Sequence, residues 1–296
     1  MSTVRAEQVE SPSPDGMFRI SDSEFRWLRD LIHAHTGIAL SEHKRALLCS
    51  RLGKRLRHYG FSRFADYYHL LTERDPGGTE LVEMINAITT NKTDFFRESH
   101  HFHFLETQLF PRLRQQRPVH MRIWSAGTAT GEEAYTLAMT VRAAFPTETY
   151  GDIRILATDI DTNVLDHAAR GVYTLDQASH VPPALLQRFF MRGRGTNAGY
   201  VKAKPELQDL IRFRHLNLMD NPWPVHGPFD AIFCRNVIIY FDRETQQQLI
   251  ARFARLLRPE GYLILGHSES VHDPNIGLRH VGQSIYQNVG RYDASR

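Results

Sequence analysis

The sequence predicts an α/β chain, a doubly wound and mostly parallel sheet preceded by a small all-helical region. Three observations predict it. Residues 121–139, MRIWSAGTATGEEAYTLAM, run from a short apolar stretch (Ile123, Trp124) through a small-residue turn, Ser125 to Gly131, into a helical pattern from Glu132 onward. About thirty positions later IRILATDID reads as a second buried strand ending in Asp159 and Asp161. Residues 16–90 instead carry successive stretches of apolar residues at helical spacing.

The turn in the first motif has a chemical reading. Ala126, Gly127, Ala129 and Gly131 let a ligand approach the backbone, and the amides opening the next helix favour electron-rich groups. An acid ending the second strand of such a sheet suits ribose hydroxyls. The spacing departs from G-x-G-x-x-G, which argues against a nicotinamide enzyme. A βα turn with no ligand is the plain alternative at this point.

Composition bounds the rest. With 296 residues, two domains are expected, and 42% hydrophobic with 23% charged residues are ordinary globular values. No apolar run reaches the roughly eighteen residues of a membrane span, so a soluble protein is expected. The N-terminus, MSTVRAEQVESPSPDG, is polar and lacks the apolar stretch of a secretory signal, and its residues 1–15 read as a disordered leader. Cys49 and Cys234 suggest neither a disulfide framework nor a metal site, in keeping with a reducing cytoplasm. HHFH at 100–103 is the densest histidine cluster, but no acid or Cys set stands at ligand spacing around it, and no metal is expected. The net charge of +3 does not by itself imply nucleic-acid binding.

Residues 16–90 read as a basic helical domain. Ser21 with Glu24 makes a capping box, and Phe25, Leu28 and Ile32 follow until Gly37. From Glu42 to Tyr59 the apolar stripe is Leu48, Leu52, Leu56 and Tyr59, stopped by Gly60. Shorter helical patterns start after Ser62 and after Thr79, separated by the turn at 76–78. Lys44, Arg45, Arg51, Lys54, Arg55, Arg57 and Arg63 lie between Glu42 and Arg63, with Lys44, Arg51, Arg55 and His58 on one stripe. Such a stripe is either a solvated face or a cationic surface for an acidic partner.

Residues 88–105 join the two regions. Asn91, Thr93 and Arg97 alternate with Phe95, Phe96, Phe102 and Phe104, which reads as a site wall on an aromatic floor or as a plain interdomain helix. After the second strand come a helix over 162–170 ending at Gly171, then a helix and β-hairpin-like insertion containing Gly193, Gly195 and Gly199. Further strands follow in IRFRHLNLMD, in FDAIFCRNVIIYF, and, after a helix over 243–257 and a turn RPEG, in YLILGHSES. Residues 280–290 supply a final strand pair. Ligands of open sheets bind at the carboxyl ends of strands, where Asp159, Asn217, Arg235 and Asn236 all fall.

Taken together, ITTNKTDFFRE, WSAGTATGEEAY, ATDIDTNVL, FDAIFCRNVIIYF and RPEGYLILGHSES resemble the CheR-type chemoreceptor glutamate methyltransferases over roughly residues 20–290. The resemblance implies a class I, Rossmann-like methyltransferase sheet over residues 91–296, an all-α N-terminal domain, and a small antiparallel β-subdomain at about 172–205. It implies S-adenosylmethionine as methyl donor, with S-adenosylhomocysteine as product and no metal. Asn91, Thr93, Arg97, Glu133, Asp159, Asn217, Leu218, Arg235 and Asn236 are similar to the family's cofactor-binding set, with Glu132 left as an alternative to Glu133. Arg97, Tyr240 and Arg51 are similar to the residues nearest the methyl acceptor. The implied partners are cytoplasmic helices of chemoreceptors and a receptor C-terminal peptide at the β-subdomain, met by a cytoplasmic monomer. A class I methyltransferase with another acceptor and a noncatalytic docking protein are the rivals. Against a nucleic-acid acceptor, the strand ending in CRNV lacks the Asn/Asp-Pro-Pro-Tyr pattern.

Overall fold

The computed structural model describes residues 18–116, 118–146 and 151–290. The leader expected over residues 1–15 lies outside them. The chain forms two compact units, Met1–Thr89 and Thr90–Arg296. Among the described residues no helix is long and apolar enough to cross a membrane.

The first unit is all helical. Helix α1 spans Asp22–Thr36 and starts at the capping box: the Ser21 hydroxyl accepts the Glu24 amide and the Glu24 carboxylate accepts the Ser21 amide. Gly37, at φ 71°, closes the helix in the left-handed conformation. A 3-10 turn over Glu42–Lys44 leads into α2, Arg45–Tyr59, and α3 (Phe64–Glu73) and α4 (Thr79–Ile88) complete the unit. Phe25, Leu28, Ile32, Leu48, Leu52, Leu56, Phe64 and Met84 are buried.

Two readings of α2 need correction. Tyr59 does not extend the buried stripe: it is 39% exposed, and its hydroxyl donates to Glu80 at 2.8 Å. The basic residues of this region are also partly neutralised. On the stripe itself Arg55 pairs with Glu80 and Glu83, and beside it Arg45 pairs with Asp22 and Glu42 and Arg63 with Asp66. Lys44 and His58 on the stripe, and Lys54 and Arg57 off it, are exposed.

Glu80 is the polar centre of this unit. Buried at 4% exposure, it accepts the Arg55 guanidinium at 2.8 Å through Nε, the Tyr67 hydroxyl at 2.6 Å and the Tyr59 hydroxyl. Burial pushes its carboxyl up, but the bonds from Arg55, Tyr67 and Tyr59 outweigh burial and hold it below the usual glutamate range. A carboxyl lowered by folding stabilises the native state above its unfolded pKa and loses that contribution as pH falls through the folded value. Glu80→Gln is therefore expected to cost about 2 kcal/mol near neutrality. Denaturant unfolding should show the wild-type advantage shrinking below about pH 4.5, the ordinary glutamate value; an equal gap at acid and neutral pH would refute the assignment.

The second unit begins with a segment that is not the plain helix the sequence allowed. Phe96 and Glu98 sit at φ 56° and 54°, so residues 95–99 form a tight turn and α5 starts only at His100 (His100–Phe104). A π-helical turn over Leu105–Leu109 links it to α6, Phe110–Arg114. The turn is held by tertiary contacts: the Phe95 ring meets Tyr173 at 4.9 Å, and the Phe96 amide donates to the Thr136 hydroxyl at 3.2 Å.

From there strands and helices alternate: β1 Met121–Ala126, α7 Glu132–Ala144, β2 Ile153–Asp159, α8 Thr162–Arg170, β3 Val172–Thr174, α9 Pro183–Phe189, β4 Phe190–Arg192, β5 Tyr200–Ala203, α10 Pro205–Gln208, β6 Ile211–His215, β7 Phe229–Cys234, α11 Arg243–Leu256, β8 Leu257–Leu265, β9 Leu278–Gly282 and β10 Ile285–Asn288. The main sheet has the order β6-β2-β1-β7-β8-β10-β9, parallel from β6 to β8, with the last two strands antiparallel. The α/β class stands, and the order turns back between β1 and β7, which opens a crevice at their carboxyl ends. Strands β3, β5 and β4 form a separate three-stranded antiparallel sheet over residues 172–203. RPEG is no turn ahead of a strand: residues 258–261 belong to β8, with a register shift opposite Phe229 and Glu260 at φ 61°.

Candidate functional site

The site is assembled at the carboxyl ends of β1, β2, β6 and β7. After β1 the chain turns through Gly127, at φ 85°, where an added Cβ would stand 2.3 Å from a Val237 methyl. A side chain cannot enter there, so the turn lies directly against the segment following β7. Asp159 braces the turn from the end of β2: its carboxylate accepts the Ala129 amide at 2.8 Å and the Asp161 amide at 3.0 Å. Ala129 itself lies at φ 48°, a conformation that this bond supports. Burial pushes the Asp159 carboxyl up, and the two backbone amides work against that rise.

Arg235, directly after β7, is the second organiser. Its side chain is 2% exposed, donates to the Glu133 carboxylate at 3.0 Å and lies 3.5 Å from that of Glu98. It also donates to the Arg97 carbonyl and stacks over Phe102 at 5.7 Å. Glu133 completes its bonding with the Ser125 hydroxyl at 2.7 Å, and burial still pushes its carboxyl up. Glu132 faces elsewhere, accepting the Thr130 hydroxyl at 2.6 Å. Glu133, not Glu132, therefore belongs to the Arg235 network.

The other expected residues are placed as follows. Asn91 donates to Asp161 at 2.6 Å, and Thr93 is half-buried in the same segment. Arg97 donates to the Lys92 carbonyl at 3.1 Å. Asn217 accepts the Met219 amide at 2.9 Å and so shapes the turn after β6. The Leu218 carbonyl beside it accepts the Trp223 indole at 3.1 Å and Arg252 at 3.0 Å, with the Arg252 guanidinium 3.6 Å from the indole centroid. Asn236 lies at φ 59°, and Tyr240 ends a half-turn over Ile238–Tyr240. Arg51 belongs to the other unit, where it donates to the Ile88 and Thr89 carbonyls.

Asp161 and Ser125, named from the sequence only as a strand-end acid and the start of the turn, also support the site. Glu98, Arg252 and Glu269 support it too and were not singled out from the sequence. Glu269 and Glu98 lie inside quoted motifs, and Glu269 comes four residues after a strand's carboxyl end, which is the signal that could have found it. Arg252 carries no such signal, because it reads as an ordinary polar position on α11. The expectation that no acid or Cys set stands at ligand spacing around HHFH also needs correction. Glu98, His100 and His101 each offer a ligand atom, all within 4.8 Å of one another. The left-handed turn at Glu98 brings it back toward the helix, which spacing cannot reveal. The Glu98 carboxylate already faces Arg235 and the His267 ring, at 3.1 Å from the latter.

The donor set fits a charged nucleoside cofactor. The turn brings backbone close enough for a ligand to lie against it, one acid ends β2 and another stands in the first turn of α7. The Thr128 hydroxyl and Arg235 Nε are buried there without hydrogen-bond partners. A mixed seven-stranded sheet, parallel but for the last two strands, with this crevice and this acid placement defines the Rossmann-like methyltransferase class.

Residues 91–286 match the family described as "CheR methyltransferase, SAM binding domain", and residues 23–89 match "CheR methyltransferase, all-alpha domain". The chain belongs to the CheR methyltransferase family. It is 44% identical to Chemotaxis protein methyltransferase 2 of Pseudomonas aeruginosa, over 94% of this chain and 98% of that one. It is 42% identical to the Chemotaxis protein methyltransferase of Escherichia coli, over 90% of this chain and 91% of that one. To the Borreliella burgdorferi protein of the same name it is 37% identical, over 90% and 95%. The matched domain makes S-adenosylmethionine the cofactor and methyl transfer the activity.

Proposed function

We propose that the protein transfers a methyl group from S-adenosylmethionine to glutamate side chains on the cytoplasmic helices of chemoreceptors, forming methyl esters. The observation that carries this reading is the near full-length identity to chemotaxis protein methyltransferases. S-adenosylmethionine supplies a methyl group already activated on a sulfonium. The acceptor carboxylate is ionised at neutral pH, so no general base is needed and positioning is the main task. Holding it in line and away from water lowers the barrier by several kcal/mol, of the order seen for oriented reactants.

In this reading Asp159 takes the ribose hydroxyls while bracing the turn, and Asn217 and Leu218 border the adenine. Glu133 faces the ammonium of the methionine moiety, with Asn91, Thr93, Arg235 and Asn236 completing the pocket. Arg97 pairs with the methionine carboxylate or orients the acceptor, and Tyr240 hydrogen-bonds near the acceptor carboxylate. A role for Arg51 toward the acceptor rests on the resemblance alone. The three-stranded sheet over 172–203 presents edge strands to which an extended receptor peptide can add. The protein then works in the cytoplasm, as a monomer and without metal.

The test is transfer of label from methyl-labelled S-adenosylmethionine to a purified receptor cytoplasmic fragment. The label should leave as methanol in alkali, as an ester requires, and disappear when the acceptor glutamates are replaced by glutamine. Alkali-stable label would identify another acceptor chemistry. Binding of receptor without any transfer would favour the docking role.

The exposed Lys44, Lys54 and Arg57 suit glutamate-bearing helices by charge complementarity. Receptor affinity is therefore expected to fall as salt rises and as sites become esterified. An affinity equal at low and high salt would exclude the electrostatic contribution.

A further inference from the structure

Glu269 lies four residues beyond β8 and is 5% exposed. Its carboxylate accepts four backbone amides: Asn236 at 2.8 Å and Gly266 at 2.7 Å through one oxygen, Val237 at 3.0 Å and Ile239 at 3.2 Å through the other. Three of these amides belong to the turn that follows Arg235 and ends at Tyr240. That turn contains Asn236 in the left-handed region, at φ 59°, and no carbonyl ladder organises its amides as in a sheet. Gly266 leaves the room for this arrangement: an added Cβ would stand 2.6 Å from Asn236 Nδ2 and 2.9 Å from the nearer Glu269 oxygen.

The same short loop reaches the other side of Arg235, where His267 meets Glu98 at 3.1 Å. Val237, one of the residues gripped by Glu269, is also the residue against which Gly127 packs. The carboxylate thus sets where the 236–240 turn sits against the cofactor turn. Arg235 does not depend on it, being anchored separately on Glu133 at 3.0 Å.

We infer that Glu269 is a positioning residue for methyl transfer, a backbone-gripping anion that sets Asn236 and Tyr240 in place without touching either substrate. The inference rests on the proposed acceptor role of Tyr240 and goes beyond it. It commits to charge and acceptor count rather than bulk. Glutamine has the same shape but offers one accepting oxygen, and its amide nitrogen would face two backbone N–H groups as a donor against donors.

The test is Glu269→Gln, studied by hydrogen exchange and by kinetics. Exchange of the Asn236, Val237 and Ile239 amides in the cofactor-free protein should accelerate at least about tenfold, a change of roughly 1.4 kcal/mol in local opening. The kcat should fall at least about tenfold while KM for S-adenosylmethionine rises by a smaller factor, through Asn236 alone, since Asp159 at the end of β2 and Glu133 on α7 are held independently of Glu269. In a Tyr240→Phe background the same substitution should cost much less, because both act through one group. A kcat within twofold of wild type despite accelerated exchange would reduce Glu269 to a structural role, and fully multiplicative effects would break its link to Tyr240. If Glu269→Gln does not fold, Glu269→Asp, which keeps the charge but draws the oxygens back by one methylene from the four amides, is measured for the same three readouts and decides. Rates are compared on whichever acceptor takes the methyl group from the wild-type protein. Failure on receptor glutamates then counts against the proposed acceptor and not against Glu269.

Discussion

Arg235→Met is expected to destabilise the protein by about 3–5 kcal/mol and to abolish measurable cofactor binding. The guanidinium, 2% exposed, lies between the carboxylates of Glu133 and Glu98, which are themselves only 11% and 12% exposed. Methionine fills similar volume but leaves two buried acids facing each other. Coulomb attraction in a buried pair barely offsets desolvation while both partners are present, so the cost of removing one partner is mostly that of the stranded charge.

The pH dependence gives this prediction its sign. Burial already pushes the Glu133 carboxyl up, with Arg235 opposing, and losing Arg235 raises it further. A carboxyl raised by folding contributes stability below its unfolded pKa and loses it as pH rises through the folded value. The deficit of Arg235→Met should thus be smallest near pH 4.5, the ordinary glutamate value, and grow toward neutrality. Denaturant unfolding across that range measures it. A deficit independent of pH would mean that lost packing on Phe102, not stranded charge, is the cause.

Asp159→Ala is expected to weaken S-adenosylhomocysteine binding at least about a hundredfold, roughly 2.8 kcal/mol. Two losses combine. The variant removes an acceptor for the ribose, and it frees the Ala129 amide and with it the left-handed turn that the carboxylate braces. Asp159→Asn keeps one accepting oxygen and should fall between Ala and wild type. Calorimetric titration of the three folded proteins decides, and unchanged affinity in the Ala variant would remove Asp159 from the pocket.

Much of this was legible along the chain. The capping box at Ser21 and Glu24, the glycine stops at 37 and 60, and the strand–turn–helix at 121–139 are local patterns, where spacing dictates geometry within a few residues. Strand-end acids were legible for the same reason. Asp159 follows a buried apolar run, and its position at a carboxyl end follows from the parallel connection.

What was not legible depended on chain reversals and on distant partners. A plain helix was open for residues 88–105, yet Phe95 finds Tyr173 and Phe96 finds Thr136, and those contacts pull the backbone into left-handed turns. RPEG looked like a turn by composition, but the neighbouring β7 extends its pairing across it as a bulge. Arg55 sat on a stripe that a solvated face would explain, and the partner that takes it inward, Glu80, is twenty-five positions away.

The sequence by itself determined the α/β class, the helical region before it, the small-residue turn after β1 and the acids that end β2, because hydrophobic period and turn chemistry act over neighbouring residues. Only the tertiary structure decided which charges meet. Glu133 rather than Glu132 joins Arg235, Glu98 turns back beside the histidines, and Glu269 grips the amides of the 236–239 turn. Burial makes an unpaired charge costly, so the partners are chosen by the fold that brings distant segments together, and spacing along the chain does not encode that choice.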